Sequence, residues 1–126
     1  SERAKAAYAW TRWEMSTSHL IPKEFSLKKA TNDNFSDSFA RIECHYFINN
    51  IFLEDNYILN NITKIKDIPV SIVQGRYDIV CPMRSAWDLK RTLPSSKLFV
   101  IDNAGHSMKE IGITNKLIEL TNNLKD

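Results

Sequence analysis

The sequence predicts an α/β fold in which parallel strands flanked by helices follow a helical segment. Three observations carry this. The run Ile68-Pro69-Val70-Ser71-Ile72-Val73 ends at Gly75 and reads as a strand, and Lys97 to Asp102 reads as a second. Between them, Pro82 to Leu93 has a helical pattern with proline in its first turn, and Pro94 breaks it. Both strands are apolar on both faces, through Ile72 and Val73 in one and Leu98, Phe99, Val100 and Ile101 in the other. Parallel strands covered by helices on each side read this way.

In the first half, Ala4 to Met15 is rich in strong helix formers. Asp37 to Ile48 places Phe39, Ile42, Tyr46 and Phe47 near helical spacing, with the polar stretch from Pro22 to Ser36 between the two helices. A short helix is expected from Glu54 to Asn61, and the character of the chain changes at Asp67. Two segments follow, a helical one over 1–66 and a strand-containing one over 67–126 that closes with an amphipathic helix from Ile111 to Leu124. Two parallel strands cannot bury both their faces and their edges, so the second segment calls for further strands. An open sheet edge, through which copies of the chain self-associate, is expected.

At 126 residues, 43% hydrophobic and 25% charged, the chain is long enough to form a core and ordinary in composition. Its 17 basic and 15 acidic side chains are mixed and form no basic stripe, which argues against nucleic acid as a partner. Cys44 and Cys81 make no CxxC pair, and the three histidines have no zinc-site spacing, so both cysteines are expected to be free thiols in a reducing compartment. No apolar run reaches the roughly 18 residues of a membrane span, and Ser1 opens a charged, alanine-rich helix without a signal-peptide pattern. A cytoplasmic location without membrane contact is expected. With Ser1 in place of an initiating methionine, the chain is also expected to begin partway through a longer one.

Reactive groups in open parallel sheets gather beyond the carboxyl ends of the strands. Asp78 comes three residues after Gly75, and His106 four residues after Asp102, so adjacent strand ends would bring them together. A histidine that accepts and returns a proton near neutral pH needs a carboxylate to fix its tautomer, and Asp78 could serve His106 in this way. The plainer alternative makes Asp78 a turn former and His106 a surface loop residue. Gly105 favours the first reading, because it lets a tight loop present the imidazole.

The motifs Gly75-Arg76-Tyr77-Asp78-Ile79-Val80-Cys81-Pro82, Ser85-Ala86-Trp87-Asp88-Leu89 and Ala104-Gly105-His106-Ser107 resemble the proline iminopeptidases, prolyl aminopeptidases of the α/β-hydrolase fold. Upstream, Trp13-Glu14 and Ala40-Arg41-Ile42-Glu43-Cys44-His45-Tyr46-Phe47 are similar to the helical cap of that family, so the resemblance runs from about residue 8 onward. It implies the C-terminal part of an α/β-hydrolase preceded by part of a cap, with Asp78 as triad acid and His106 as general base. The triad order is then serine, aspartate, histidine, which places the serine upstream on a GxSxG-like elbow. No GxSxG occurs in these residues, and Ser71 and Ser107 lack the elbow context. The chain alone is therefore expected to be inactive, and the family needs no metal or cofactor.

The resemblance also assigns Glu14 and Glu43 to the substrate. Two carboxylates facing a small apolar pocket can hold the ammonium of an N-terminal proline through charge-assisted bonds. Without the resemblance, both read as solvated helix glutamates. Tyr46, Phe47, Trp13 and Trp87 are expected in the core. The function implied is release of N-terminal proline from peptides. The alternatives are another α/β-hydrolase acting on an ester or amide, which has no reason to bury the glutamate pair, and a non-catalytic binding or assembly module.

Overall fold

The computed structural model describes residues 1–124, so the last two positions of the second predicted segment lie outside the described residues. The chain packs as two units. One comprises Ser1–Thr17 and Ile21–Asp55, and the other combines Ser18–Leu20 with the chain from Asn56 onward.

The first unit holds helices α1 (Glu2–Thr17), α2 (Glu24–Lys29) and α3 (Asp33–Ile48). Asn32 starts α3 by accepting the Phe35 amide at 2.9 Å, which satisfies a donor that the first helical turn leaves open. α1 buries Ala7, Thr11 and Glu14, while α3 buries Ser36 and Ala40 and half-buries Glu43. Each stripe follows the i, i+4, i+7 spacing of one helix face, with two small residues followed by a glutamate. Small side chains let the helices approach closely, and the Ser36 hydroxyl is held by the carbonyl of Ala30 at 2.7 Å. α2 forms inside the stretch expected to be polar linker, supported at its surface by a Lys28–Glu24 ion pair one turn apart. After Ile48 the chain leaves helical geometry through three consecutive left-handed residues, Asn50, Ile51 and Phe52.

Four aromatic side chains expected in the core are about half exposed: Trp13 at 58%, Tyr46 at 47%, Phe47 at 53% and Trp87 at 52%. Trp13 and Phe47 instead pack against Trp10 with tilted rings, each at 6.2 Å between ring centroids. The close helix contact is filled by small residues, which leaves the large rings at its margin.

The second unit contains α4 (Tyr57–Asn60), β1 (Ser71–Gly75), α5 (Met83–Thr92), β2 (Lys97–Ile101) and α6 (Ile111–Asn122). α4 is shorter than expected because Asn56, in the left-handed region at φ 58°, begins it, and a 3-10 turn over Ile62–Ile65 follows. β1 starts later than the apolar run because Pro69 has no amide to donate to a ladder. The Val70 carbonyl is the first group engaged, accepting from Lys97 at 2.9 Å. β1 and β2 are parallel and in register from Ser71 opposite Lys97 to Gly75 opposite Ile101. Both α5 and α6 pack on the strands. The sheet has these two strands among the described residues, so each keeps one edge without a strand partner.

Thr11 has no exposed surface, so Thr11→Leu should overpack the α1–α3 contact and destabilise the first unit by about 1–3 kcal/mol. Ala9→Leu on the exposed face of α1 should leave stability within about 0.5 kcal/mol. Denaturation followed by circular dichroism checks both.

Candidate active site

The register of the two strands delivers their carboxyl ends side by side, and the backbone locks the following loops together. The amide of Arg76 donates to the Ile101 carbonyl at 2.9 Å, and that of Tyr77 donates to the Ala104 carbonyl at 3.0 Å. Above this, the Arg76 guanidinium grips one oxygen of Asp102 through Nε at 2.7 Å and Nη2 at 2.6 Å. Gly75 sits where no side chain fits. A Cβ there would collide with the carbonyl oxygen of Gly105 and lie 2.8 Å from that of Ala104.

The turn after Gly75 buries the Asp78 side chain to 7% exposure and uses both of its oxygens. Oδ1 accepts from the amides of Val80 at 3.0 Å and Cys81 at 2.8 Å, which fixes the carboxylate on its own turn. Oδ2 lies 3.0 Å from Nδ1 of His106, and Gln74 Nε2 reaches the same oxygen at 3.4 Å while donating to the Cys81 carbonyl at 3.0 Å. A carboxylate offers only acceptors, so the proton of the aspartate–histidine bond belongs to Nδ1, and in the neutral imidazole Nε2 then keeps a lone pair. The imidazole is 36% exposed. The arrangement is an imidazole with one nitrogen anchored to a buried carboxylate and the other able to take a proton.

Neither serine near these groups resembles a nucleophile in an elbow. Ser71 begins β1, roughly 13 Å of strand from Gly75, and the Ser107 hydroxyl accepts the Lys109 amide at 3.2 Å.

The other two residues singled out from the sequence lie in the first unit, on the paired helices. Glu14 is buried on the face of α1 that carries Thr11. Glu43 is half-buried on α3, and its Oε2 accepts the indole N–H of Trp10, one turn before Glu14, at 2.7 Å. Glu14 is thus not the solvated helix glutamate of the plainer reading, and Glu43 is held in place by a tryptophan. Sequence reasoning passed over two residues in the second unit, Gln74 and Glu110. Gln74 carried no signal beyond its place on a strand. Glu110 did, because it takes the position before a helix that Ser, Thr, Asp or Asn usually fills.

With this geometry in view, comparison with known proteins is decisive for the family. The α/β-hydrolase family model described as TAP-like protein matches residues 35–115. The chain belongs to this α/β-hydrolase family. The chain is 54% identical over 120 residues to a probable proline iminopeptidase of Leptolyngbya boryana, covering 94% of the chain and 37% of that protein. It is 48% identical over 121 residues to a proline iminopeptidase of Arabidopsis thaliana, covering 95% of the chain and 32% of that protein. A putative proline iminopeptidase of Mycoplasma pneumoniae is 42% identical over 106 residues, with 83% and 34% covered. The chain spans about a third of the length of these relatives. Among the described residues, no helix is long and apolar enough to cross a membrane.

Gly75→Ala should push the Gly105 loop away from β1 and part His106 from Asp78. The expected results are loss of the hydrogen-bonded Nδ1 proton of His106 in NMR spectra and destabilisation by about 1–3 kcal/mol. An unchanged Nδ1 resonance in a folded variant would contradict the packing described.

Proposed function

We propose that this chain supplies the acid, the base and the amine-recognising carboxylates of a serine aminopeptidase that releases N-terminal proline from peptides. The observation that carries the reading is the 3.0 Å contact between His106 Nδ1 and the buried Asp78 carboxylate. In this reading His106 Nε2 takes the proton of a serine hydroxyl as it attacks the prolyl carbonyl. It then returns that proton to the departing amine, while Asp78 stabilises the imidazolium formed in between. The serine and the oxyanion donors come from outside residues 1–126, so the chain by itself is inactive.

Glu14 and Glu43 hold the ammonium of the substrate. Each charge-assisted bond contributes about 1.5–3 kcal/mol, which favours a free N-terminal proline over an internal one. Burial of Glu14 and the indole bond to Glu43 support this role, as do the names of the relatives. Residues 1–66 then form the cap portion and 67–126 the core portion. Cys44 and Cys81, both exposed and neither in a disulfide, support a cytoplasmic location. The strand edges support self-association of the isolated chain.

The test is release of a fluorophore from an N-terminal prolyl amide, comparing this chain with a protein in which the same residues follow a GxSxG-bearing segment. Only the longer protein should cleave. Its Asp78→Asn variant should lose roughly 10⁴-fold in kcat. Glu14→Gln and Glu43→Gln should each raise KM about tenfold or more at nearly constant kcat. Cleavage of an N-acetylprolyl amide as fast as the free amine would overturn the carboxylate assignment, and cleavage by the short chain would overturn the missing-nucleophile reading.

A further inference from the structure

The loop that carries His106 is held from two sides, and Asp78 is only one of them. Glu110 precedes α6 at the position where a side chain usually caps the helix, yet its carboxylate makes no cap bond. It turns back instead. Oε1 accepts the Gly105 amide at 2.6 Å, and the two oxygens share the Leu20 amide at 3.3 Å each. Glu110 is 9% exposed, and Ala104 and Gly105 beside it are buried. A second bond runs alongside, from the Ser107 amide to the Ser18 carbonyl at 2.7 Å. The residues on either side of His106 are thereby tied to Ser18–Leu20, a strap some ninety positions earlier in the chain.

Burying a carboxylate is costly unless it is well hydrogen-bonded, and this one is placed where its bonds fix a single object. Gly105 is pressed so tightly into the contact that a Cβ on it would lie 2.9 Å from the Leu20 nitrogen and 3.1 Å from Glu110 Oε1. The imidazole, attached one residue later, can then swing only about its own side-chain torsions. We propose that Glu110 is a positioning residue for His106, holding the loop so that Nδ1 stays on Asp78 and Nε2 stays presented for proton transfer. The proposal rests on the reading of His106 as the general base.

The test follows exchange of the His106 Nδ1 proton by NMR in the full chain, with thermal midpoints recorded for each variant. Glu110→Gln keeps an oxygen for the Gly105 amide and should hold exchange close to the unsubstituted rate. Glu110→Asp, one methylene short of spanning Gly105 and Leu20, should speed exchange about tenfold, and Glu110→Ala at least as much. Should Glu110→Ala fail to fold, the aspartate variant decides. In the longer, cleaving protein the same order should appear in kcat, falling roughly 100-fold for Glu110→Ala with KM unchanged. Exchange unaltered in the aspartate and alanine variants overturns the proposal alone. Absence of a protected Nδ1 proton in the unsubstituted chain overturns the general-base reading on which it depends.

Discussion

Gly75 lies directly against the carbonyl of Gly105, and the second unit is organised around that approach. Parallel pairing brings the end of β1 level with the end of β2, but level ends do not by themselves make two side chains meet. The loop after β2 must fold back over the end of β1, which requires a residue without a side chain beneath it. With Gly75 in place, the Tyr77 amide reaches the Ala104 carbonyl, the turn closes on Asp78, and His106 arrives within hydrogen-bond distance of it. The Asp78–His106 contact is a consequence of backbone packing three residues before one member and one residue before the other.

The two units handle buried charge by the same rule. In each, a carboxylate leaves water and is given donors that also position something else. Asp78 takes two amides of its own turn and then an imidazole, and Glu110 takes the amides of two distant segments. Glu43 takes an indole N–H beside the buried Glu14 helix face. Charge-assisted bonds to N–H donors are strong and directional, so partly buried carboxylates fix geometry as well as carrying charge. This suits chemistry in which a proton moves over a short distance along a defined line.

Much of this was legible in the sequence, for local reasons. The βαβ unit announced itself through two doubly apolar strands and a proline-started helix, and the placement of Asp78 and His106 after strand ends followed from topology. Where reading and structure differ, the cause is tertiary or stereochemical. Pro69 delayed β1, the left-handed Asn56 shortened α4, and the small residues of the α1–α3 contact left Trp13 and Phe47 half exposed. The strap from Ser18 to Leu20 could not be read at all, because nothing in its own residues points to a loop ninety positions away. Glu110 left only the trace of an unusual residue before a helix. Glutamates that a helix turns toward a partner look like surface glutamates until that partner is known, and so buried Glu14 and half-buried Glu43 were drawn out by resemblance rather than by pattern.

The proposed function divides the labour, placing acid and base inside residues 1–126 and the nucleophile outside them. A serine-directed phosphonate probe reads this directly, because it reacts with a serine that a neighbouring histidine activates, and mass spectrometry then locates the adduct. Applied to the protein in which these residues follow the GxSxG segment, it should label one serine in that segment, and His106→Ala should abolish the labelling. An adduct on Ser71, Ser107 or any other serine of residues 1–126, or labelling that survives loss of His106, would contradict it.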